Sequence, residues 1–186
     1  MVSCTTRAQV PPAEQQIGAA VQAAPEAMRD AAAVLGYDDA GELAWLREGS
    51  NELICLADRP GDDRFHVACY HEALDPFMQR GRELRAQGLS DAEVDSIRRA
   101  EIEAGELSMP DHPASLYSLT GSGGAFDPET GEVSGAFPLY VLYTPFATGE
   151  QLGVPTRPAG NLPWLMDAGT PWAHLMVTSV AGGVEP

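Results

Sequence analysis

The densest group of titratable side chains suited to catalysis is the consecutive triplet Tyr70, His71 and Glu72. Histidine changes its charge between about pH 5 and pH 8, so an imidazole beside a carboxylate can act as an acid–base pair. In an enzyme His71 would be the general acid or base, with Glu72 and Tyr70 in support. Alternation along a strand at residues 65–71 turns His71 toward the core and His66 away from it. The alternative is structural: His71 hydrogen-bonds a nearby carbonyl, and Glu72 belongs to the acidic start of a helix.

Two further histidines widen the range of chemistry. His112 follows Asp111 in a proline-bracketed segment, and His174 lies in an apolar run near the end of the chain. If both converge with His71, the three imidazoles could hold zinc or another divalent ion, with Glu72 as general base. The chain has no His-Glu-x-x-His motif, and three separate, hydrogen-bonded histidines are the alternative. Without a metal, His71 or His174 would act as the acid–base group, oriented by Glu72 or Asp111.

The cysteines predict a disulfide. Two β-prone runs, at residues 53–57 and 65–70, flank a loop rich in turn-forming residues. In a hairpin centred on Asp62, Cys55 and Cys69 are each seven residues from the centre and therefore lie opposite one another. Opposed residues have Cβ atoms roughly 4.5–5.5 Å apart, close to what a disulfide requires. Metal thiolates or a free nucleophile are the alternatives, but no Cys-x-x-Cys motif is present.

Composition excludes several kinds of function. The chain has 27 acidic and 11 basic residues, a net charge of −16, which disfavours binding to nucleic acid or to an anionic membrane. All basic residues are Arg, and without Lys there is no Schiff-base, PLP or conventional P-loop chemistry. No apolar run approaches the roughly 18–20 residues of a membrane span, and Gly-x-Ser-x-Gly is missing. The five arginines at 80–99 alternate with acids at helical spacing, which predicts a solvated face with salt bridges.

The first residues predict export. A small residue before Cys4 is similar to the end of a bacterial lipoprotein signal, and Thr6-Arg7-Ala8 would alternatively provide a cleavage site. Residues 1–11 would then be a disordered signal remnant, with Cys4 discarded or carrying a lipid anchor. Cys55 and Cys69 remain as a pair, as expected in an oxidising compartment. The prediction is a periplasmic or cell-surface protein; a short disordered start of a cytosolic chain is the alternative.

The elements around these residues are predicted to be a sheet followed by two helices. A first helix is expected at residues 12–23, a helical turn at 25–30, and strands at 32–37, 43–47, 53–57 and 65–71. Turn signals between the strands predict a four-strand meander, and the run 53–57 is apolar on both faces and should be central. Asp75-Pro76 predicts the cap and start of a helix to Gln87, and a capping box at 90–93 begins a second helix that ends near Gly105. So short a joint predicts an antiparallel helix pair.

The last third of the chain is rich in Gly and Pro and completes the sheet. Strands are expected at 115–119, 139–143 and about 173–179, with an irregular loop at 108–113 and a hairpin turn at 126–132. The predicted fold is a single α+β domain over residues 12–186. It consists of an antiparallel sheet, made of the meander plus C-terminal strands, with the antiparallel helix pair inserted after the fourth strand.

Two functions are compatible with this sequence. The first is an exported, bacterial-type hydrolase or lyase with its site at Tyr70, His71 and Glu72, supported by His112 and His174. The second is a non-catalytic periplasmic or surface module that binds a small ligand or partner through its aromatic, proline-rich C-terminal region. Either would act on a small molecule and not on nucleic acid, and its cofactor would be none or a divalent metal ion.

Overall fold

The computed structural model describes residues 9–61, 63–122 and 125–178. Cys4, most of the predicted signal remnant, and Asp62 at the centre of the predicted hairpin lie outside these ranges. The helices are α1 (Ala13–Ala20), α2 (Asp75–Ala86), α3 (Asp91–Glu103) and α4 (Gly149–Leu152), with 3₁₀ turns at Val21–Ala23, Glu26–Met28 and Glu72–Leu74. The strands are β1 (Ala33–Tyr37), β2 (Leu43–Arg47), β3 (Leu53–Leu56), β4 (Phe65–His71), β5 (Ala114–Gly121), β6 (Ala125–Asp127), β7 (Glu132–Ser134), β8 (Phe137–Tyr143), β9 (Trp164–Met166) and β10 (His174–Thr178).

Eight strands form one mostly antiparallel sheet in the order β2-β1-β3-β4-β5-β8-β10-β9, and β6 pairs with β7 in a separate hairpin. The predicted α+β class is confirmed, and so is the helix pair after the fourth strand. β3 is central, as its apolar sequence predicts. The short strand β9 and the single-turn helix α4 are not predicted from the sequence.

The predicted four-strand meander is wrong, because β3 pairs with β1 and not with β2. β1 and β2 form the expected antiparallel hairpin, but β3 lies parallel to β1, with Val34 opposite Cys55. The connection after β2 explains this. β2 ends beside the start of β1, and the amides of Ser50 and Asn51 then donate to the carbonyl of Ala31, at 2.7 and 3.1 Å. The chain thus crosses beside the start of β1, and β3 then begins next to that end and runs parallel to β1.

Gly49 makes that passage sterically feasible. A Cβ atom at this position would lie 2.5 Å from the amide nitrogen of Ala33, closer than side-chain atoms approach backbone. Asn51 adds a hydrogen bond of 2.8 Å from its Nδ2 to the carbonyl of Met28. β2 is left at the edge of the sheet, where Trp45 is an exposed large apolar residue.

The chain folds into two compact units. The first unit is Met1–Cys69 with Tyr117–Leu139, and the second unit is Tyr70–Leu116 with Tyr140–Pro186. β4, β5 and β8 contribute residues to both units. The prediction of one domain over residues 12–186 stays a prediction.

The core of the first unit is made of small aliphatic side chains around a disulfide. Alanines of α1 and the turns after it pack with Val34, Leu53 and Val67 of the strands. Cys55 and Cys69 are fully buried and bonded to each other, with Cα atoms 3.9 Å apart, which confirms the predicted pairing.

Helix α1 is attached to β1 by an amide side chain. Gln16 is buried, and its amide accepts from the backbone N–H of Tyr37 and donates to the carbonyl of the same residue, both at 2.8 Å. This pair of bonds imitates the pairing of a neighbouring strand. Ala24 adopts an extended conformation before Pro25 and ends the helical segment, as the residue before proline usually does.

The core of the second unit is built on an arginine that the sequence pattern predicts to be solvated. Arg98 of α3 is buried, and its guanidinium lies 3.9 Å from the centre of the Phe77 ring of α2. It donates to Asp95 at 2.6 Å and to the carbonyl of Phe77 at 3.3 Å. Trp172 meets Phe77 edge to face at 5.2 Å. Gly81 lets the guanidinium approach, since a Cβ there would lie 3.0 Å from Nη1.

Candidate functional site

Tyr70 is the buried member of the predicted triplet and has a complete set of partners. It is 1% exposed, its hydroxyl donates to Asp75 Oδ1 at 2.7 Å, and Arg82 donates to it at 2.8 Å. Burial raises the pKa of Tyr70 well above its ordinary range. Asp75 is the first residue of α2 and not its cap, because the 3₁₀ turn Glu72–Leu74 leads directly into the helix. Its carboxylate instead binds Tyr70 and Arg82. These contacts connect β4 to α2 through the Tyr70 hydroxyl.

His71 lies at the junction of β4 and the 3₁₀ turn. Its Nδ1 accepts a hydrogen bond from the amide of Ala73 at 3.1 Å, so the side chain caps the turn. A ring that accepts at Nδ1 carries the proton of its neutral form on Nε2. The ring also meets that of His112 edge to face, with centroids 5.7 Å apart. Glu72 is exposed.

His112 forms an acid–base pair with Asp111, the carboxylate that the sequence suggests as an orienting group for His71 or His174. Its Nδ1 is 2.7 Å from Oδ1 of Asp111, and this hydrogen bond lowers the pKa of the Asp111 carboxyl. Both side chains face solvent, with 54% of His112 and 98% of Asp111 exposed. Water therefore screens the pair and weakens its electrostatic effect.

His174 has different partners. Its Nδ1 is bonded to the carbonyl of Trp172, and its ring lies 5.1 Å from that of Tyr143. Within residues 9–61, 63–122 and 125–178, no three His, Cys, Asp or Glu side chains are placed to hold a metal ion. The divalent-metal site of His71, His112 and His174 stays a prediction, and so does the catalytic role of the triplet.

A cleft of about 690 Å³ lies wholly within the second unit, and the Asp111–His112 pair belongs to its wall. The end of α3, the loop at residues 105–113 and the segment 144–152 form it. Its wall is mostly apolar, with Ile102, Leu107, Met109, Phe146 and Leu152 among the contributors. Its volume falls in the range of roughly 300–1,000 Å³ that small-molecule sites occupy.

One wall of the cleft carries backbone strain. Phe146 has a φ of 64°, a left-handed conformation that bulky residues rarely adopt. Its amide donates to the carbonyl of Thr170 at 2.8 Å, and Gly169 donates to the carbonyl of Ala147 at 2.7 Å. These bonds stabilise the turn, while Phe146 remains 58% exposed. Strain of this kind, maintained by the surrounding hydrogen bonds, is often associated with functional surfaces.

One residue of the cleft wall has a buried polar atom without a partner among the described residues. The hydroxyl oxygen of Thr144 is buried and makes no hydrogen bond to any of the residues that the structure describes, and Thr144 lines the cleft. An unmade hydrogen bond of this kind costs roughly 1–3 kcal/mol.

The cleft is not predicted from the sequence, although its loop contributes two clues. The segment 108–113 is irregular and proline-bracketed, and the apolar residues next to it belong to no predicted strand or helix. The sequence favours the aromatic, proline-rich C-terminal region instead as the ligand-binding region, with tryptophans after Pro163 and Pro171. Trp172 is buried against Phe77, and Trp164 lies half-buried in β9.

Comparisons with known proteins suggest no function, so the proposals for this protein are based on the geometry of the candidate site. No protein-family model matches the chain, and no curated protein or solved structure matches it either. In the part of the chain that the structure describes, no helix has the length and apolar character needed to cross a membrane.

Proposed function

We propose that this protein is a non-catalytic binding protein for a small molecule with an apolar body, and that the cleft of the second unit is its site. The observation that carries the proposal is a cleft of about 690 Å³ with a mostly apolar wall, formed by residues 102–113 and 144–152. Apolar walls with few polar groups bind and orient small ligands. The strained turn at Phe146 adds an exposed aromatic surface.

We also propose that the protein works outside the cytosol, in the periplasm or on the cell surface. The Cys55–Cys69 disulfide supports this, because structural disulfides persist in oxidising compartments. Fractionation of the source cells, with an antibody to the second unit, tests the proposal. Recovery with cytosolic markers alone would refute it.

The binding proposal is tested with Nile red, a neutral apolar dye that fluoresces strongly in apolar sites. We expect saturable binding, and amide NMR shifts confined to residues 102–113 and 144–152. Phe146→Ser should weaken binding about fivefold, since roughly 1 kcal/mol of apolar contact is lost. The matched control is Phe137→Ser, at a phenylalanine that is 75% exposed in the first unit.

Two results would refute the binding proposal. One is the absence of saturable binding. The other is equal loss of affinity in the Phe146→Ser and Phe137→Ser variants, which would show that the dye binds any exposed ring.

A second candidate function, hydrolysis or lyase chemistry, is favoured by one observation. Asp111, His112 and the ring of His71 lie in contact, and His112 belongs to the cleft wall. In this case His112 is the acid–base group and Asp111 orients it. Turnover of a chromogenic ester that is lost in His112→Gln and Asp111→Asn, but kept in His66→Gln, would favour the enzyme. Equal rates of ester turnover in the wild-type protein and the three variants would reject an ester hydrolase at this site.

A further inference from the structure

We propose that the cleft selects cationic ligands, namely amines or quaternary ammonium compounds with an apolar body, and that the Asp111 carboxylate supplies the counter-charge. This inference rests on the proposed function, because it names the ligand class of the same cleft. It is carried by the distribution of charge around an apolar cavity.

The described part of the wall contains one carboxylate, Asp111, beside the titratable imidazole of His112. Asp111 is the acidic side chain among the described residues that line the cleft, and no arginine lines it there. The chain has no lysine and so no side-chain ammonium group, and its net charge is −16. An anionic ligand would meet a carboxylate in an overall negative field, whereas a cation would be attracted by both. Charge complementarity therefore favours a cationic head group.

Asp111 is accessible to such a head group. Its side chain is 98% exposed, and the hydrogen bond from His112 reaches Oδ1. An exposed aspartate is ionised at neutral pH, and that same bond lowers the pKa of Asp111 further. The exposed ring of Phe146 offers an aromatic wall, and aromatic faces also attract cations.

The experiment compares three probes that share one apolar body: phenylbutylamine, phenylbutanol and phenylbutyrate. Their affinities are measured by NMR titration of the full chain at neutral pH and low salt. We expect the amine to bind about threefold more tightly than the alcohol, and the carboxylate about threefold more weakly, as for a solvent-exposed charge pair. Added salt should reduce both differences.

Two variants identify the charge responsible. Asp111→Asn should bring the amine to the affinity of the alcohol and leave the alcohol unchanged. Asp39→Asn removes the same charge at an exposed position of the first unit and should keep the amine preference. Loss of the preference in the first variant alone supports the inference.

The possible failures are distinguishable. If all three probes shift residues 102–113 and 144–152 with equal affinity, or the carboxylate binds most tightly, cation selection is refuted and the apolar binding site stands. If the amine preference persists in Asp111→Asn, another group provides the charge and the assignment to Asp111 is wrong. If no probe binds saturably, the proposed function fails together with this inference.

Discussion

Different interactions stabilise the cores of the two units of the molecule. The first unit packs alanines and valines around the buried Cys55–Cys69 disulfide. The second unit packs aromatic rings around the guanidinium of Arg98 and places hydrogen-bonded side chains such as Tyr70 and Asp75 between its elements. Gln16, buried in the first unit, has both ends of its amide hydrogen-bonded to Tyr37, whereas the buried guanidinium of Arg98 leaves Nε without a partner among the residues described.

This difference bears on where the candidate site lies. Two buried side-chain atoms lack partners among the residues described, Arg98 Nε and the Thr144 hydroxyl, and both belong to the second unit. The strained residue Phe146 belongs there as well. Proteins retain unpaired buried polar atoms and strained residues, despite their cost in free energy, at positions where function requires them. The unit with the incompletely satisfied interior is thus the unit that contains the cleft.

The largest effect is expected from the covalent bond of the first unit. Replacing both Cys55 and Cys69 with Ala should lower the free energy of unfolding by about 3 kcal/mol, because a cross-link that spans 14 residues restricts the unfolded chain. Urea denaturation measures the change. Reductant should destabilise the wild-type protein by a similar amount and leave the double variant unchanged. An unaltered urea midpoint would mean that aliphatic packing alone holds this core.

The fold could be predicted as far as local signals determine it. The capping box of Ser90 and Glu93 begins α3 as expected, and α2 ends at its C-cap residue Gln87 as expected, where Gly88 follows in a left-handed conformation. The pairing of β3 with β1 depends on a passage around the start of β1, which turn-forming residues do not encode. Gly49 shows why: its close approach to Ala33 is visible only once both segments are in place.

The candidate site was harder to predict, for a related reason. The sequence identifies His71, His112 and Asp111 by residue type, and the structure brings these three side chains together. Alternating acids around Arg98 give it the pattern of a surface residue, although it is buried against Phe77. Apolar loop residues such as Leu107 and Leu152 carry no periodic signal, so the cleft they form has no signature in the sequence.

A smaller effect is expected from the polar core of the second unit. Tyr70→Phe should lower the free energy of unfolding by about 1.5 kcal/mol at neutral pH, since hydrogen bonds to Asp75 and Arg82 are lost. Burial raises the pKa of Tyr70, so above pH 10 the unfolded chain releases this proton while the folded protein keeps it.

The raised pKa of Tyr70 makes the free energy of unfolding fall as the pH rises above 10. Stability contributed by a raised pKa is present below the ordinary value and is lost as the pH rises, here by up to about 1.4 kcal/mol per pH unit. The wild-type protein should therefore lose stability faster than Tyr70→Phe above pH 10, and the gap between them should narrow. If urea unfolding showed that both proteins lose stability equally across this pH range, the role of the buried hydroxyl would be contradicted.

The smallest effect separates two exposed phenylalanines, Phe146 in the second unit and Phe137 in the first. Phe146 has a φ of 64°, whereas Phe137 has no positive φ and begins β8. Glycine adopts positive φ without steric cost, while alanine retains the strain, so Phe146→Gly should be about 1 kcal/mol more stable than Phe146→Ala. At Phe137 the order should reverse, because glycine loses more conformational entropy in a strand and Phe137→Ala should be the more stable variant.

Thermal or urea unfolding of the four variants measures both differences. The comparison cancels the loss of the ring at each position and leaves the backbone contribution alone. The same order at both positions would mean that the turn at Phe146 relaxes at no cost, and strain could then no longer support a functional role for that wall of the cleft.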